Sequence, residues 1–304
     1  MSVRIVFMGT PEFAVPSLDI LVKNGYDVVG VVTATDKLGG RGGKQLIESA
    51  VKKYAVAHGI KVLQPEKLKN PTFLDELRSL QADLQIVVAF RMLPEVVWAM
   101  PPLGTFNLHG SLLPKYRGAA PINWAIINGE NETGVTTFFL QHEIDTGDVI
   151  LQTKLPIGEN ETAGEVHDRM MLLGAETVLR TVQMIENKTL TTQKQLDAEA
   201  SHAPKLFHET CQINFHQPTQ KVHDFIRGLS PYPAAWTLLH DLELKILKTT
   251  QEVSTHAFPP GQFISDNKKF LKISTLDGFV HVHELQLQGR KRMDTVAFLN
   301  GYKV

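Results

Sequence analysis

Cysteine is nearly absent: Cys211 stands alone among 304 residues, so no intrachain disulfide can form and a thiolate-built metal centre is excluded. No stretch of about 18 apolar residues occurs, so no membrane-spanning helix is expected. The N-terminus passes straight into the strand-like run Arg4-Ile5-Val6-Phe7-Met8 without a leader pattern, and a cytoplasmic location is expected. Net charge is also scarce, at −1. Residues 201–304 carry 12 Lys or Arg against 9 Asp or Glu, while residues 1–200 carry 19 against 23, a mild basic bias in the C-terminal part. Such a bias is weak evidence for a nucleic acid. The glycines of a dinucleotide fingerprint are missing: after the first strand only Gly9 is present, in Gly9-Thr10-Pro11. The second strand, residues 27–33, ends without a carboxylate for a ribose, so no nicotinamide cofactor is expected.

What is present is a globular composition, 43% hydrophobic, long enough for one large or two ordinary domains. Strand-like and helix-like segments alternate: helices over 13–22, 46–58, 70–80 and 165–188, strands over 61–63, 83–89, 133–140 and 149–153. Residues 119–128 read as a further helix with Pro121 in its first turn. The run Asp83-Leu84-Gln85-Ile86-Val87-Val88-Ala89 suits a strand buried on both faces. The pattern predicts an α/β domain with a doubly wound, mostly parallel sheet over residues 1–188. Residues 189–206 are polar and aperiodic and are expected as a linker. Residues 207–304 carry short strands and one helix, 221–228, which predicts a small β-rich barrel or sandwich.

Two stretches carry chemistry. In Asn107-Leu108-His109-Gly110-Ser111-Leu112-Leu113-Pro114, strand alternation puts Asn107 and His109 on one face and Leu108 on the other. Gly110 and Pro114 then break the strand, leaving a carboxamide and an imidazole beside a loop at a strand end, where open α/β sheets bind ligands. Lys37-Leu38-Gly39-Gly40-Arg41-Gly42-Gly43-Lys44 joins three cations to four glycines without a Gly-Lys-Ser/Thr ending, so it is no nucleotide P-loop. It reads either as a surface loop or as an arm for phosphates. The acidic turn Asp145-Thr146-Gly147-Asp148 lies between two strands. Asp148, Arg117 and Tyr116 are explained by a turn cap and a loop-anchoring cation, and Ser111 lacks a base, so covalent catalysis is not expected. His142 and His167 read as surface or packing residues. His281 and His283 alternate on one strand face without a third ligand and read as structural.

In order, Asn-x-His-x-Ser-Leu-Leu-Pro from Asn107, Tyr-Arg-Gly-Ala-Ala-Pro-Ile from Tyr116 and Asp-Thr-Gly-Asp from Asp145 give the chain a resemblance, over essentially its whole length, to the methionyl-tRNA formyltransferase family. The first and last runs belong to folate-dependent formyltransferases generally. The Arg-Gly-Ala-Ala-Pro run, the glycine-rich basic loop and the β-rich C-terminal part narrow the likeness to the tRNA enzymes. The resemblance implies a formyltransferase-like Rossmann variant followed by a β-barrel resembling an OB-fold that binds tRNA. It also implies 10-formyltetrahydrofolate as formyl donor, methionyl initiator tRNA as acceptor, and a monomer with no metal and no NAD. It places catalysis on Asn107, His109 and Asp145, and folate contacts on Phe90, Arg91, Leu93, Ser111, Leu112, Leu113 and Pro114. It places tRNA contacts on Arg41, Gly42 and Lys44, with Lys268, Lys269, Arg290, Lys291 and Arg292 as candidates in the C-terminal part. The sequence departs from the family at Arg91, where a glycine is more frequent, and at Gly43, where a second cation is.

Formyl transfer between amines passes through a tetrahedral species with a negative oxygen and a positive attacking nitrogen. Asn107 would donate to the oxygen, His109 would strengthen that donation when a carboxylate favours its imidazolium form, and Asp145 would orient the imidazole and take the nucleophile's proton through water. The alternatives at this stage are a formyltransferase for another amine such as a nucleotide sugar, a formyl-folate hydrolase, and a noncatalytic RNA-binding relative.

Overall fold

The computed structural model describes residues 3–39 and 45–304. Packing divides the chain into two compact units. Met1–Arg117, Gly134–Leu155 and Asp168–His202 make the first; Gly118–Thr133, Pro156–His167 and Ala203–Val304 make the second. The division expected along the chain, 1–188, 189–206 and 207–304, therefore differs from the grouping by contact.

The first unit is built on a seven-stranded sheet. From one edge the strands run Val149–Pro156, Glu132–Phe139, Thr105–His109, Leu84–Val88, Arg4–Gly9, Asp27–Val32 and Val62–Leu63. The five from Thr105–His109 onward are parallel, and Glu132–Phe139 is antiparallel to its neighbour. The chain leaves Arg4–Gly9 in one direction across the sheet and later returns to Leu84–Val88 on its other side. The carboxyl ends of those two strands thus flank the point where strand order reverses, the place where such sheets take ligands. All five residues of Leu84–Val88 are buried, as a strand covered on both faces requires. Close packing allows little side chain at its end: a Cβ on Gly9 would stand 2.9 Å from the Val88 carbonyl oxygen and 2.8 Å from Ala14 Cβ. Phe7, Phe106 and Phe138 are fully buried, and each contributes roughly 2 to 3 kcal/mol by leaving water.

The helix expected over 46–58 is corrected. Gln45–Ile47 pairs antiparallel with Lys37–Gly39, and the helix is Ala50–Ala57, capped by the Ser49 hydroxyl, which accepts from the Lys52 amide at 3.0 Å. Leu46 and Ile47 are exposed hairpin residues, not the first turn of a helical face. Lys52 grips both legs of this hairpin, bonding Asp36 and reaching Glu48 at 2.8 Å. The ammonium holds the Asp36 carboxyl below its ordinary range and is itself raised by that carboxylate.

The polar stretch from residue 189 is not a loose linker within this unit. Val149 and Gln193 exchange two backbone hydrogen bonds, of 2.8 and 2.9 Å. Further along, Ser201 accepts the Tyr116 amide on its hydroxyl and the Arg117 amide on its carbonyl, each at 2.9 Å.

The second unit holds an antiparallel half-barrel with strand order Ala235–Leu239, Leu242–Val253, Gly278–Leu287, Leu271–Ser274 and Phe263–Ser265; the short Met293–Asp294 also pairs with Gly278–Leu287. Register breaks on either side of Lys248 let the twelve-residue strand Leu242–Val253 bend. The helix Thr219–Leu229 packs inside the curl, with Val222, Ile226 and Leu229 in the apolar cluster beside Ile246, Val280 and Leu285. The helix Pro121–Ile127 joins this unit because Asn123 donates to the Gly228 carbonyl at 2.8 Å and a Cβ at Gly228 would meet Ile127 Cγ1 at 2.7 Å. Residues 158–161 join it through Arg227, which donates to the carbonyls of Gly158 and Glu161 and is paired, almost fully buried, with Asp224 at 2.7 Å.

Candidate active site

Leu108 packs against Gly174 of the helix Ala163–Glu186, where a Cβ at 174 would stand 2.7 Å from Leu108 Cδ2. The period of two in the strand Thr105–His109 therefore turns Asn107 and His109 together to the opposite face, at the carboxyl end of the strand. Asn107 is half-buried, and among the described residues its carboxamide meets no hydrogen-bond partner. His109 is 6% exposed and its ring meets Phe138 edge-on.

The His109 ring is fixed from both sides. Nε2–H donates to the Tyr116 carbonyl at 2.8 Å, and because a carbonyl only accepts, this nitrogen carries its hydrogen. Nδ1 is then the atom turned to the carboxylate of Asp145, 3.7 Å from Oδ2. Tyr116 presents its carbonyl this way because its backbone has φ of 61°. Asp145 is likewise left-handed, with φ of 57°, and its side chain is 13% exposed. A non-glycine residue pays about 1 kcal/mol or more for this conformation, so neighbours must hold it.

The turn around Asp145 is held closely. Gly147 has no alternative: a Cβ there would lie 1.6 Å from the Phe139 carbonyl oxygen. One side-chain amide, that of Gln195, donates to the carbonyls of both Asp145 and Gly147 at 2.8 Å. Its oxygen accepts from Arg117 Nε and Nη2 at 3.0 and 2.8 Å, and Arg117 Nη1 reaches Asp197 Oδ1 at 2.9 Å. Arg117 is thus a loop anchor, as its type suggested. Gln195 carried no signal in the sequence, since a residue that binds backbone carbonyls leaves no pattern of its own.

The structure places the remaining expected residues unevenly. Ser111 is fully buried and its hydroxyl donates to the Lys115 carbonyl at 2.6 Å; Leu113 is buried, with its amide on Thr136 Oγ1 at 3.1 Å and its carbonyl accepting from Gln152 at 2.7 Å. Leu112 lies over Gly134, and Pro114 is half-buried. Leu93 is buried in the apolar cluster that also contains Phe90 and Leu140. The Arg91 guanidinium donates to the carbonyls of Pro65 and Glu66 and lies 5.7 Å from the Phe90 ring, so it ties two loops together. Met92, in the same loop, is 74% exposed.

Arg41, Gly42 and Lys44 lie outside the described residues, in the connection between Lys37–Gly39 and Gln45–Ile47. In the second unit Lys268 and Lys269 are exposed at a turn whose backbone amides converge on Asp266 Oδ1. Arg290, Lys291 and Arg292 are all exposed, and Arg292 also forms a two-pronged pair with the carboxylate of Glu284. His281 bonds Glu252 Oε2 at 2.5 Å and His283 bonds Thr250 Oγ1 at 2.7 Å. Among the described residues no group of three His, Cys, Asp or Glu is arranged to hold a metal ion, and no helix is long and apolar enough to cross a membrane.

Residues 3–182 match the family described as Formyl transferase, and residues 205–303 match Formyl transferase, C-terminal domain. The chain is 56% identical to the methionyl-tRNA formyltransferase of Parabacteroides distasonis over 310 aligned positions, covering 99% of this chain and 96% of that protein. It is 54% identical to the methionyl-tRNA formyltransferase of Flavobacterium johnsoniae, covering 98% and 96%. Among solved structures, an N-formyltransferase from Helicobacter canadensis, in complex with folinic acid and dTDP-3-aminofucose, aligns with a TM-score of 0.70 at 25% identity, covering 92% of this chain and 98% of that one. The sugar 3N-formyl transferase WlaRD shares the fold with a TM-score of 0.71 at 23% identity, covering 96% of this chain and 100% of that one.

Proposed function

Since the chain belongs to the formyl transferase family, and within it to the methionyl-tRNA formyltransferases, we propose that it carries a formyl group from 10-formyltetrahydrofolate to the α-amino group of methionine on initiator tRNA, with Asn107, His109 and Asp145 as the reacting site. The single observation behind the site is that His109 and Asp145 face one another at 3.7 Å beside a carboxamide with no partner among the described residues. Identity above 50% over almost the full chain to tRNA formyltransferases, against 23–25% to the sugar enzymes, favours tRNA over a nucleotide sugar.

The acceptor amine attacks the formyl carbon, and charge develops on the formyl oxygen as the nitrogen becomes positive. Asn107 supplies preorganised N–H donors to that oxygen. His109, held by the Tyr116 carbonyl, turns Nδ1 toward Asp145, 3.7 Å from its Oδ2, at the edge of the same space. Asp145 accepts the proton lost by the attacking nitrogen, directly or through one water; as the tetrahedral species collapses, the bond from the formyl carbon to N10 of the folate breaks and that nitrogen takes up a proton to leave as tetrahydrofolate. An α-amino group has a pKa near 8, so a useful fraction is already neutral at physiological pH and no serine or cysteine nucleophile is required. The transfer changes no oxidation state, so the chemistry calls for no NAD.

The donor is assigned to the carboxyl ends of the central strands of the first unit. Ala89 is exposed just beyond the strand Leu84–Val88, whose Val87 pairs with Asn107 at the reversal of strand order, and Met92 is exposed in the loop that follows. Phe90 to Pro94 and Ser111 to Pro114 would hold it mainly by backbone and by the shape their buried side chains give. The exposed cations Lys268, Lys269, Arg290 and Lys291, with Arg41, Gly42 and Lys44, serve the tRNA phosphates. The enzyme works as a monomer in the cytoplasm, where charged tRNA is found.

The test is formyl transfer to charged initiator tRNA run beside deacylated tRNA and free methionine. Transfer to the charged tRNA alone is expected; free methionine formylated at a similar rate would overturn the acceptor. Asn107→Ala is expected to lower kcat by about 10²- to 10³-fold, or about 3 to 4 kcal/mol of transition-state stabilisation, while tRNA binding persists.

A further inference from the structure

The polar stretch after residue 188 contributes more than a connection. Gln195 places its one amide nitrogen on two carbonyls of the acidic turn, those of Asp145 and Gly147. Its orientation is fixed, because rotating the amide by 180° would set its oxygen against two carbonyl oxygens and its NH2 against the Arg117 guanidinium. Arg117 is 9% exposed and spends three nitrogens on Gln195 and Asp197, so the amide is itself braced.

The same short run braces the other partner. Tyr116, next to Arg117, gives its carbonyl to His109 Nε2, and the amides of Tyr116 and Arg117 both end on Ser201. One dipeptide therefore holds the imidazole through its main chain and the carboxylate through its side chain and Gln195. We propose that Gln195, backed by Arg117, is a positioning residue that sets the separation of His109 and Asp145. It touches neither substrate and acts by keeping Asp145 in its left-handed turn. The inference rests on the reading of His109 and Asp145 as the reacting pair.

The experiment compares Gln195→Met, Asp145→Asn and the double variant, measuring kcat and KM for both substrates, the pH profile of kcat, and the melting temperature. Gln195→Met keeps length and removes the hydrogen bonds. Misplacement of a reacting group by about 1 Å costs about 10²-fold, so kcat is expected to fall roughly 10- to 100-fold, with both KM values within about threefold and a displaced pH profile. The double variant is expected to be no slower than Asp145→Asn by more than about threefold, since a positioning residue has nothing left to position. A Gln195→Met enzyme with unchanged kcat and pH profile, or losses that multiply in the double variant, overturns the inference. An Asp145→Asn enzyme with full activity overturns the reacting pair itself, which separates the two failures. Should Gln195→Met not fold, Arg117→Lys carries the test. It keeps the charge but cannot set two donors on the Gln195 oxygen, and the same fall in kcat at constant KM is expected, an unchanged kcat being the refuting result.

Discussion

Replacing Gly147 by alanine tests whether the acidic turn is as rigid as its packing requires. The new Cβ would lie 1.6 Å from the Phe139 carbonyl oxygen and 2.8 Å from its carbonyl carbon. Both obstacles are strand backbone and cannot rotate aside. Bringing the Cβ–oxygen contact to an ordinary separation of about 3.2 Å needs a displacement of about 1.5 Å. The turn must take most of it, since Phe139 is held in the sheet by its pairing with Phe106. Asp145 lies two residues away and faces His109 at 3.7 Å, so a shift of this size changes the pair from facing to separated. The expected effect is at least a 10²-fold loss of kcat, about 2.7 kcal/mol. Single-turnover formylation with enzyme in excess over charged tRNA measures it without interference from product release. The tRNA dissociation constant should stay within about threefold, because the turn is not among the cations assigned to phosphate. An alanine variant that turns over within threefold of the parent would refute the premise that the turn positions the carboxylate.

Other expectations follow from the same packing. Asp224→Ala leaves the Arg227 guanidinium buried without its carboxylate and should destabilise the chain by about 3 to 5 kcal/mol in denaturant titrations; a loss under 1 kcal/mol would show that the carbonyls of Gly158 and Glu161 suffice. Burial pushes the His223 imidazole below its ordinary range, with the Arg227 charge adding to it. The unfolded chain then binds the proton more readily, so stability is full above the unfolded value of about 6.5 and falls as pH drops from there toward the folded value. In His223→Gln the decline of melting temperature between pH 7 and 5 should be shallower, and an unchanged decline would assign it to other groups. Because the Arg292 charge is already matched by the Glu284 carboxylate, Arg292→Ala should leave the salt dependence of tRNA binding unaltered. Neutralising Lys268 and Lys269 together should reduce the log–log slope by nearly 2 if both meet phosphates, and an unreduced slope would remove them from the interface.

Much of the first unit was legible because its signals are local. The apolar run at residues 84–88 and the alternation at 105–109 depend on neighbours one or two positions away, so the shared face of Asn107 and His109 could be read before any fold was known. Asp145 could be assigned only through resemblance, since its place beside His109 is set by two strands and a turn. Leu46 and Ile47 misled because two apolar residues ahead of a true helix continue its pattern, and only the register with Lys37 and Leu38 reveals the hairpin. Arg91 and Ser111 were legible as polar groups near a ligand loop, but their hydrogen bonds end on carbonyls of Pro65, Glu66 and Lys115, which no side-chain pattern announces. The stretch from 189 onward looked like a linker for the same reason: Gln193, Gln195 and Ser201 bind main chain, and main-chain partners leave no trace in composition.

That stretch also sets a timetable for synthesis. Tyr116, whose carbonyl meets the histidine, is itself met by Ser201, and the aspartate turn is met by Gln195. At about 5 to 20 residues per second, a ribosome needs about 10 to 40 s to reach residue 201. Until then the growing chain has its central sheet but neither of these braces, and the arrangement of His109 and Asp145 is completed late in translation, when the piece that looked most dispensable leaves the ribosome.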